Sequence, residues 1–199
     1  MYERAKRVVD IVVALVGLAL LCLLLPALAV AIKLDSPGPI FFAQKRIGRF
    51  GRPFRMFKLR SMINCAEEMI ERVKHLNESD GSTFKITNDP RRTRVGIILR
   101  KSSLDEMPQF WNILRGEMSL VGPRPLPEEQ VDLEDPLQRE RLEAVPGLTG
   151  LWQTNGRSYL NQEEWLRADL AYVRHRSLRL DLKILLQTFP AVLSGKGAC

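Results

Sequence analysis

The hydrophobic pattern begins with an apolar run from Ile11 to Ile32, twenty-two residues without a charged side chain. Basic residues stand on both sides of it, at Arg4, Lys6, Arg7 and Lys33. As an α-helix rising ~1.5 Å per residue, the run would be about 33 Å long, close to the ~30 Å hydrocarbon core of a bilayer. The pattern therefore predicts a membrane helix at the amino end of the chain.

Pro26 lies inside this run and bears on how the helix sits in the membrane. Its ring clashes with the carbonyl group of Cys22 and it donates no backbone hydrogen bond, a defect of about 3 kcal/mol or more in a helix interior. Three interpretations stay open: a kinked single span, which is the commonest in general, a re-entrant segment that turns back at Pro26, and a secretory signal peptide. Ala27-Leu28-Ala29 resembles a cleavage site, but the run exceeds the ~7 to 15 residues of a signal core. Basic residues on both sides leave the orientation open.

The remaining chain shows the shorter periodicities of one folded domain. Ile40–Gln44 and Arg55–Arg60 flank a turn at residues 48–53 and predict a β-hairpin. Helical spacing predicts helices over Ile63–Leu76, Leu104–Leu114, Glu163–Tyr172 and Leu180–Leu193. Proline and glycine predict loops at residues 122–127 and 146–156, where binding groups often lie. The pattern is that of an α+β fold, mainly helical with a small β element.

The charge of the chain predicts an anionic partner. Thirty basic and twenty-three acidic residues give a net charge of +7. Seven cations and no acid lie between Lys45 and Arg60, interleaved with phenylalanines, which suits either a lipid surface or a nucleic acid. Three cysteines and two histidines argue against a disulfide framework and a zinc site. Any acid, base or nucleophilic chemistry is therefore expected from carboxylates.

The most suggestive carboxylates are Asp105 and Glu106, at the beginning of a predicted helix. With Ser103 as the N-cap, Glu106 completes a capping box, which is a purely structural explanation. With Asp105 as the N-cap, Pro108 falls in the tolerant first turn. In either arrangement the helix dipole favours an ionised Asp105, which is a competent nucleophile, and Glu106 could bind a divalent ion. The residues alone leave the structural and the chemical explanations open.

Several ordered motifs, read together with the broken apolar run, resemble the bacterial sugar transferases. More narrowly, the chain resembles the monotopic polyprenyl-phosphate phosphoglycosyl transferases, and the resemblance covers essentially its whole length. The motifs are Phe57–Met62, Arg100–Gln109, Val121–Pro125 and Pro146–Arg157.

This resemblance implies a monotopic membrane protein at the cytoplasmic face of the bacterial inner membrane. Residues 1–36 would form a re-entrant helix broken at Pro26, and residues 37–199 a cytosolic, membrane-associated catalytic domain with interfacial amphipathic helices. A homo-oligomer is compatible with the family. The short amino terminus suggests a minimal catalytic unit, although the same unit also ends larger members.

The reaction implied is transfer of a sugar 1-phosphate from a nucleotide diphosphate sugar, expected to be a UDP-sugar, to polyprenyl phosphate. Undecaprenyl phosphate would be the acceptor and UMP the other product, in the first membrane step of exopolysaccharide or glycoconjugate synthesis. By resemblance, Asp105 is the nucleophile that forms a phosphosugar-enzyme intermediate. Glu106, together with Asp105, would hold Mg²⁺. No residue identifies the sugar.

Further residues match motif positions of the family and are predicted to bind substrate. Lys58, Arg60, Arg100 and Arg124 are expected to contact phosphate or nucleotide. Pro123 and Pro125 restrict the backbone that presents Arg124. Gln153, Asn155 and Arg157 are expected to line the pocket, and Asp169 to lie near the metal. The sequence departs from the family at Leu151-Trp152-Gln153, where many members have Trp-Ala-Gln.

Two rival classes remain at this level. A membrane-anchored basic module that binds anionic lipid or nucleic acid would explain the charge, but not the setting of Asp105 or Arg124. An aspartyl phosphatase or a metal-dependent glycosyltransferase would also use carboxylates, although the chain contains no Asp-x-Asp motif. The transferase interpretation therefore includes a lipid bilayer among its partners and no nucleic acid.

Overall fold

The computed structural model describes residues 1–78, residue 86, residues 88–154 and residues 162–193. These residues form a mainly helical protein with two small two-stranded sheets, so the predicted balance of helix and strand is confirmed. The elements are α1 (Tyr2–Asp35), β1 (Phe41–Ile47), β2 (Pro53–Leu59), α2 (Ile70–Val73), α3 (Arg94–Lys101), α4 (Gln109–Arg115), β3 (Ser119–Val121), α5 (Pro136–Arg141), β4 (Gly147–Thr149), α6 (Leu151–Thr154), α7 (Gln162–His175) and α8 (Leu178–Leu193). Short 3₁₀ turns lie at Arg49–Gly51, Lys74–Leu76, Leu104–Glu106 and Glu128–Gln130.

One face of α1 is docked on the rest of the protein along most of its length. The buried positions on this face follow helical spacing at its amino end and return near its carboxyl end: Lys6, Asp10, Ala14, Gly17, Leu21 and Ile32. Gly17 allows close packing on α4, because a Cβ there would lie 2.5 Å from the ring of Phe110. Ala14 and Ile32 belong to two different hydrophobic clusters of the domain. α1 therefore forms part of the hydrophobic core, which argues against a cleaved signal peptide.

The other face of α1 is apolar and exposed. Its large exposed side chains include Val8, Val12, Val16, Leu20, Leu23 and Val30. The helix is long and apolar enough to cross a membrane, and lipid is the natural environment of this face. Helical structure continues without interruption through Pro26, which lies on the exposed side. The re-entrant path and the break at Pro26 stay predictions.

The predicted hairpin is confirmed, with longer strands than expected. β1 and β2 pair antiparallel from Phe41 opposite Leu59 to Ile47 opposite Pro53. The second, parallel sheet was not expected, because β4 lies inside a segment that proline and glycine had marked as a loop and β3 directly precedes another such segment. A bridge between Ile47 and Leu126 joins the hairpin to the chain that follows β3.

Two predicted helices differ from those observed. Only residues 70–73 of the predicted Ile63–Leu76 helix are α-helical, followed by the turn Lys74–Leu76. The predicted Leu104–Leu114 helix is divided into the 3₁₀ turn Leu104–Glu106 and α4, which begins after Pro108. Proline lacks the backbone donor that a continuous helix would need at this point. The helices predicted near the carboxyl end correspond to α7 and α8.

Arg60, predicted from the sequence as a substrate contact, lies at the carboxyl end of α1. Its guanidinium is buried and donates to the carbonyl oxygens of Pro37, Ser36 and Ile32, the last two at 2.6 and 3.3 Å. Helix carboxyl ends leave such carbonyl groups without partners inside the helix. The structure thus gives Arg60 a supporting position, which connects the end of β2 to the carboxyl end of α1.

We expect Arg60→Gln to lower the free energy of unfolding by about 2 to 3 kcal/mol, because the charged donor to several buried carbonyl groups is lost. Thermal unfolding in detergent micelles measures the change. Arg52→Gln, which removes an exposed arginine from the same hairpin, is the matched control. Equal unfolding midpoints for the two variants would contradict the assignment.

Candidate active site

Asp105 and Glu106 lie on the 3₁₀ turn between α3 and α4, where cations from three other segments meet them. Lys58 on β2 places its Nζ atom 2.9 Å from Glu106 Oε1 and 4.0 Å from Asp105 Oδ2. Arg124, in the loop after β3, places its Nη2 atom 3.8 Å from the same Glu106 oxygen. Arg100, near the end of α3, adds positive charge that acts on Asp105. The structure therefore brings together five of the residues that the sequence predicted.

The backbone at this turn contradicts the capping explanation of the two carboxylates. Ser103 adopts a left-handed conformation with φ of 56° and forms no capping hydrogen bond. α4 begins at Gln109, with Pro108 at its N-cap position. A left-handed serine costs about 1 kcal/mol, and such conformations persist where the surroundings hold them. Neither Ser103 nor Asp105 caps a helix, so the carboxylates need another explanation.

Asp105 is a buried carboxylate whose pKa is shifted in opposite directions by burial and by nearby positive charge. It is 4% exposed, and burial raises its pKa above the ordinary range of aspartate. Lys58 is the largest opposing influence, Glu106 raises the pKa further, and Arg100 and Arg124 lower it. Among the described residues Asp105 forms no hydrogen bond, so its oxygens are not occupied by donors. Such a group can act as a nucleophile toward an electrophile brought between the cations.

Arg124 is held from two sides. Its guanidinium lies 5.9 Å from the centre of the Trp152 ring, within the range of a cation–π contact. Trp152 is the residue whose placement departs from the family pattern, and here it contacts a predicted substrate-binding arginine. Glu106 therefore faces one side of this guanidinium and an aromatic ring lies near another.

Asp169 is linked to the backbone of Arg124 through Arg141. Its carboxylate accepts a 2.7 Å hydrogen bond from Arg141 Nε, and Arg141 also donates to the backbone carbonyl of Arg124. Asp169 and Arg141 are 1% and 3% exposed. Burial raises the pKa of Asp169 to about 6, and Arg141 is the largest opposing influence. This pair supports the loop that carries Arg124, and the place of Asp169 near a metal stays a prediction.

Two further predicted residues have internal contacts. Arg100 donates to Ser61 Oγ at 2.9 Å, and burial lowers its pKa. Gln153 is buried in α6 and donates to the Leu148 carbonyl at 3.4 Å. Asn155 and Arg157 lie outside the described residues.

Sequence reasoning missed two residues that position the site. Asn112 is fully buried, accepts from the Phe57 backbone N–H at 3.1 Å and donates to the Arg55 carbonyl at 2.7 Å, so it fixes β2 against α4. Arg46 donates to the Pro125 carbonyl at 3.1 Å, and burial, followed by the charge of Arg124, lowers its pKa to about 10. Asn112 lies outside the apolar stripe of the predicted helix, so the hydrophobic pattern gives no signal for it. Nothing in the sequence separates Arg46 from its basic neighbours.

The side chains at this site can be compared with the ligands that a metal ion requires. Among the described residues, no group of three or more histidine, cysteine or carboxylate side chains lies close enough to hold a metal ion. Asp105 and Glu106 are adjacent hard oxygen donors. Such a pair fits Mg²⁺, which keeps several waters and commonly completes its coordination with substrate phosphate oxygens.

Comparison with known proteins identifies relatives over nearly the whole chain. A family model described as bacterial sugar transferase matches residues 1–195. The chain is 41% identical over 198 residues to the exopolysaccharide production protein ExoY of Rhizobium meliloti (strain 1021), covering 98% of this chain and 88% of that protein. It is 43% identical over 203 residues to the UDP-glucose:undecaprenyl-phosphate glucose-1-phosphate transferase of Caulobacter vibrioides (strain ATCC 19089 / CIP 103742 / CB 15), covering 97% and 71%.

A third relative is considerably longer. The chain is 42% identical over 195 residues to the galactosyl transferase CpsE of Streptococcus agalactiae serotype III (strain NEM316), covering 98% of this chain. It spans only 43% of the length of that protein.

Proposed function

This chain belongs to the bacterial sugar transferase family, and we propose that it transfers a sugar 1-phosphate from a UDP-sugar to undecaprenyl phosphate. The products are undecaprenyl diphosphate sugar and UMP. The observation that carries the proposal is Asp105, a buried carboxylate that accepts no hydrogen bond from the described residues and is surrounded by Lys58, Arg100 and Arg124. The names of relatives that act on undecaprenyl phosphate support both the donor and the acceptor class.

The chemistry proceeds in two displacements at phosphorus. In the first, an Asp105 oxygen attacks the sugar-bearing phosphorus, an Asp105–phosphorus bond forms, and the bond to the bridging oxygen breaks as UMP leaves. In the second, a phosphate oxygen of undecaprenyl phosphate attacks the same phosphorus and releases the Asp105 carboxylate. Each step needs an ionised nucleophile and positive charge around the phosphate oxygens. Lys58, Arg100 and Arg124 supply that charge from three separate segments of the chain.

Mg²⁺ fits this site as a cofactor. Asp105 and Glu106 would hold it, with phosphate oxygens and water completing its coordination. When bound, it supplies further neutralisation of the phosphate charge. Lys58 and Arg124 both contact Glu106 and keep it close to Asp105.

We further propose that α1 is a re-entrant anchor at the cytoplasmic face of the inner membrane. Lys6 near its amino end is buried against β3, and Ile32 near its carboxyl end is buried in a cluster with Leu59 and Leu99. A domain that binds both ends of the apolar segment favours both ends on one side of the bilayer. Pro26, on the exposed side, is then the proposed turning point.

A membrane-anchored basic module is less well supported, because much of its proposed binding surface is engaged within the protein. Arg46, Lys58 and Arg60 donate to other residues of the domain. Arg49 donates to the Glu143 carbonyl, and Lys45 pairs with Glu128. These cations mainly connect segments of the fold and surround Asp105.

A panel of UDP-sugars with undecaprenyl phosphate, scored by UMP release, tests the reaction and identifies the sugar. We expect one sugar to give UMP and a phosphosugar adduct that mass spectrometry locates at Asp105. Asp105→Asn should abolish both, since an amide is not an ionised nucleophile. Asp132→Asn, which changes an exposed acid outside the site, is the matched control. Turnover by the Asp105→Asn variant, with deamidation excluded, would overturn the proposal.

The pH dependence of adduct formation tests whether the pKa of Asp105 is raised. Only the ionised carboxylate attacks, and a raised pKa means that protonation begins at a higher pH than for an ordinary aspartate. The relative rate should therefore fall at mildly acid pH. Lys58→Met should move this fall to higher pH, because Lys58 lowers the pKa. Lys45→Met, which removes an exposed lysine on β1, should leave the profile in place.

Rates for each protein are normalised to their own maximum, so that a lower overall activity of the Lys58 variant does not obscure the midpoint. A rate that falls only in the pH range where ordinary aspartates titrate would contradict the raised pKa of Asp105. A pH midpoint that moves lower in Lys58→Met would contradict the influence assigned to Lys58.

A further inference from the structure

Two charged residues near the amino end of α1, Lys6 and Asp10, are bound inside the domain rather than exposed to lipid head groups. Asp10 is 4% exposed, and its Oδ1 atom accepts from Ser119 Oγ at 3.0 Å and from the Leu120 backbone N–H at 2.9 Å. Lys6, one helical turn earlier, donates to the Val121 carbonyl at 2.9 Å. The two side chains therefore bind all three residues of β3.

A second set of contacts fixes Lys6 itself. Its Nζ atom pairs with Asp181 Oδ2 at 2.9 Å, and Asp181 Oδ1 accepts from the Tyr172 hydroxyl at 2.8 Å. Tyr172 lies 3.1 Å from the same Val121 carbonyl that Lys6 contacts. α1, α7 and α8 thus converge on the last residue of β3. We call these contacts of Lys6 and Asp10 the β3 clamp.

β3 leads directly into the loop that presents Arg124. The Gly122 N–H donates to the Thr149 carbonyl at 2.9 Å, and the Pro123 carbonyl accepts from the Gly147 N–H at 2.8 Å. Gly122 packs closely on the neighbouring backbone, because a Cβ there would lie 2.3 Å from the Val145 carbonyl oxygen. A shift of β3 along its axis would therefore move Arg124 relative to Glu106.

We infer that Asp10 and Lys6 are positioning residues for Arg124, so that the amino end of the membrane helix sets the geometry of the active site. This inference rests on the proposed function for its kinetic consequence, but the clamp itself has a structural readout. Charge on the flanks of an apolar segment is usually interpreted as a topology signal. Here Lys6 and Asp10 are buried and engaged with β3.

Hydrogen exchange measured by mass spectrometry tests the clamp without any assumption about activity. We expect Asp10→Ala to accelerate exchange in a peptide covering residues 118–126 by about tenfold, because the Leu120 N–H loses its acceptor. Asp10→Asn should restore protection, since the amide oxygen can accept the same hydrogen bonds. Glu3→Gln, which removes an ion pair of α1 with Arg176, is the matched control and should exchange as the unaltered protein does.

A double-mutant cycle tests the kinetic consequence. Asp10→Ala should lower kcat/KM for UMP release by about tenfold, while in an Arg124→Gln background it should change kcat/KM by less than about threefold. Additive losses would mean that Asp10 does not act through Arg124 and would overturn the inference. Unchanged exchange in Asp10→Ala would overturn it as well.

If Asp10→Ala does not fold, Ser119→Ala removes one of the two donors to Asp10 and should give a smaller change in the same direction for both measurements. Absence of UMP release from every protein, with the expected change in exchange, would reject the proposed function and leave the clamp in place.

Discussion

The docking of α1 on the domain is the constraint on which the remaining structure depends. The helix is apolar enough to enter a bilayer, yet its buried face contributes Ala14 to one hydrophobic cluster and Ile32 to the other. Polar contacts fix both ends: Lys6 and Asp10 bind β3, and Arg60 binds the carbonyl groups at the carboxyl end. A helix held in this way is packed against the domain and does not act as a flexible linker to it. The domain must lie against whatever surface the exposed face of α1 occupies.

This docking also fixes the position of Asp105 relative to α1. α4 packs on α1 where Phe110 meets Gly17, and α3 contributes Leu99 to the cluster that contains Ile32. The turn that carries Asp105 lies between these two helices, so its distance from α1 is set by packing on both sides. The site combines a buried carboxylate with cations from separate segments, which suits the proposed phosphoryl transfer to a lipid phosphate. The resulting chemistry is the proposed transfer of a sugar 1-phosphate to a membrane-bound acceptor.

The sequence was most informative where local patterns are strong. The turn at residues 48–53 predicted the hairpin, and apolar spacing predicted α7 and α8. Motif resemblance selected Lys58, Asp105, Glu106 and Arg124, which the structure brings together. The parallel pair β3 and β4 was missed because three-residue strands carry too little periodicity to be recognised. The capping box was wrong because Pro108 divides the helix. Basic residues look alike in a sequence, so only the structure separates Arg60, bound to helix carbonyls, from Lys58 beside the carboxylates.

The central claim is that both ends of α1 lie on the cytoplasmic side with the active site. Its most direct test is labelling of single cysteines placed at the exposed positions Arg4 and Pro39, after replacement of the native cysteines. The reagent is a membrane-impermeant maleimide, applied to intact spheroplasts and to inside-out vesicles. The account predicts that both positions react only in inside-out vesicles. Labelling of Arg4→Cys in intact spheroplasts, with Pro39→Cys protected there, would show a complete span and contradict it.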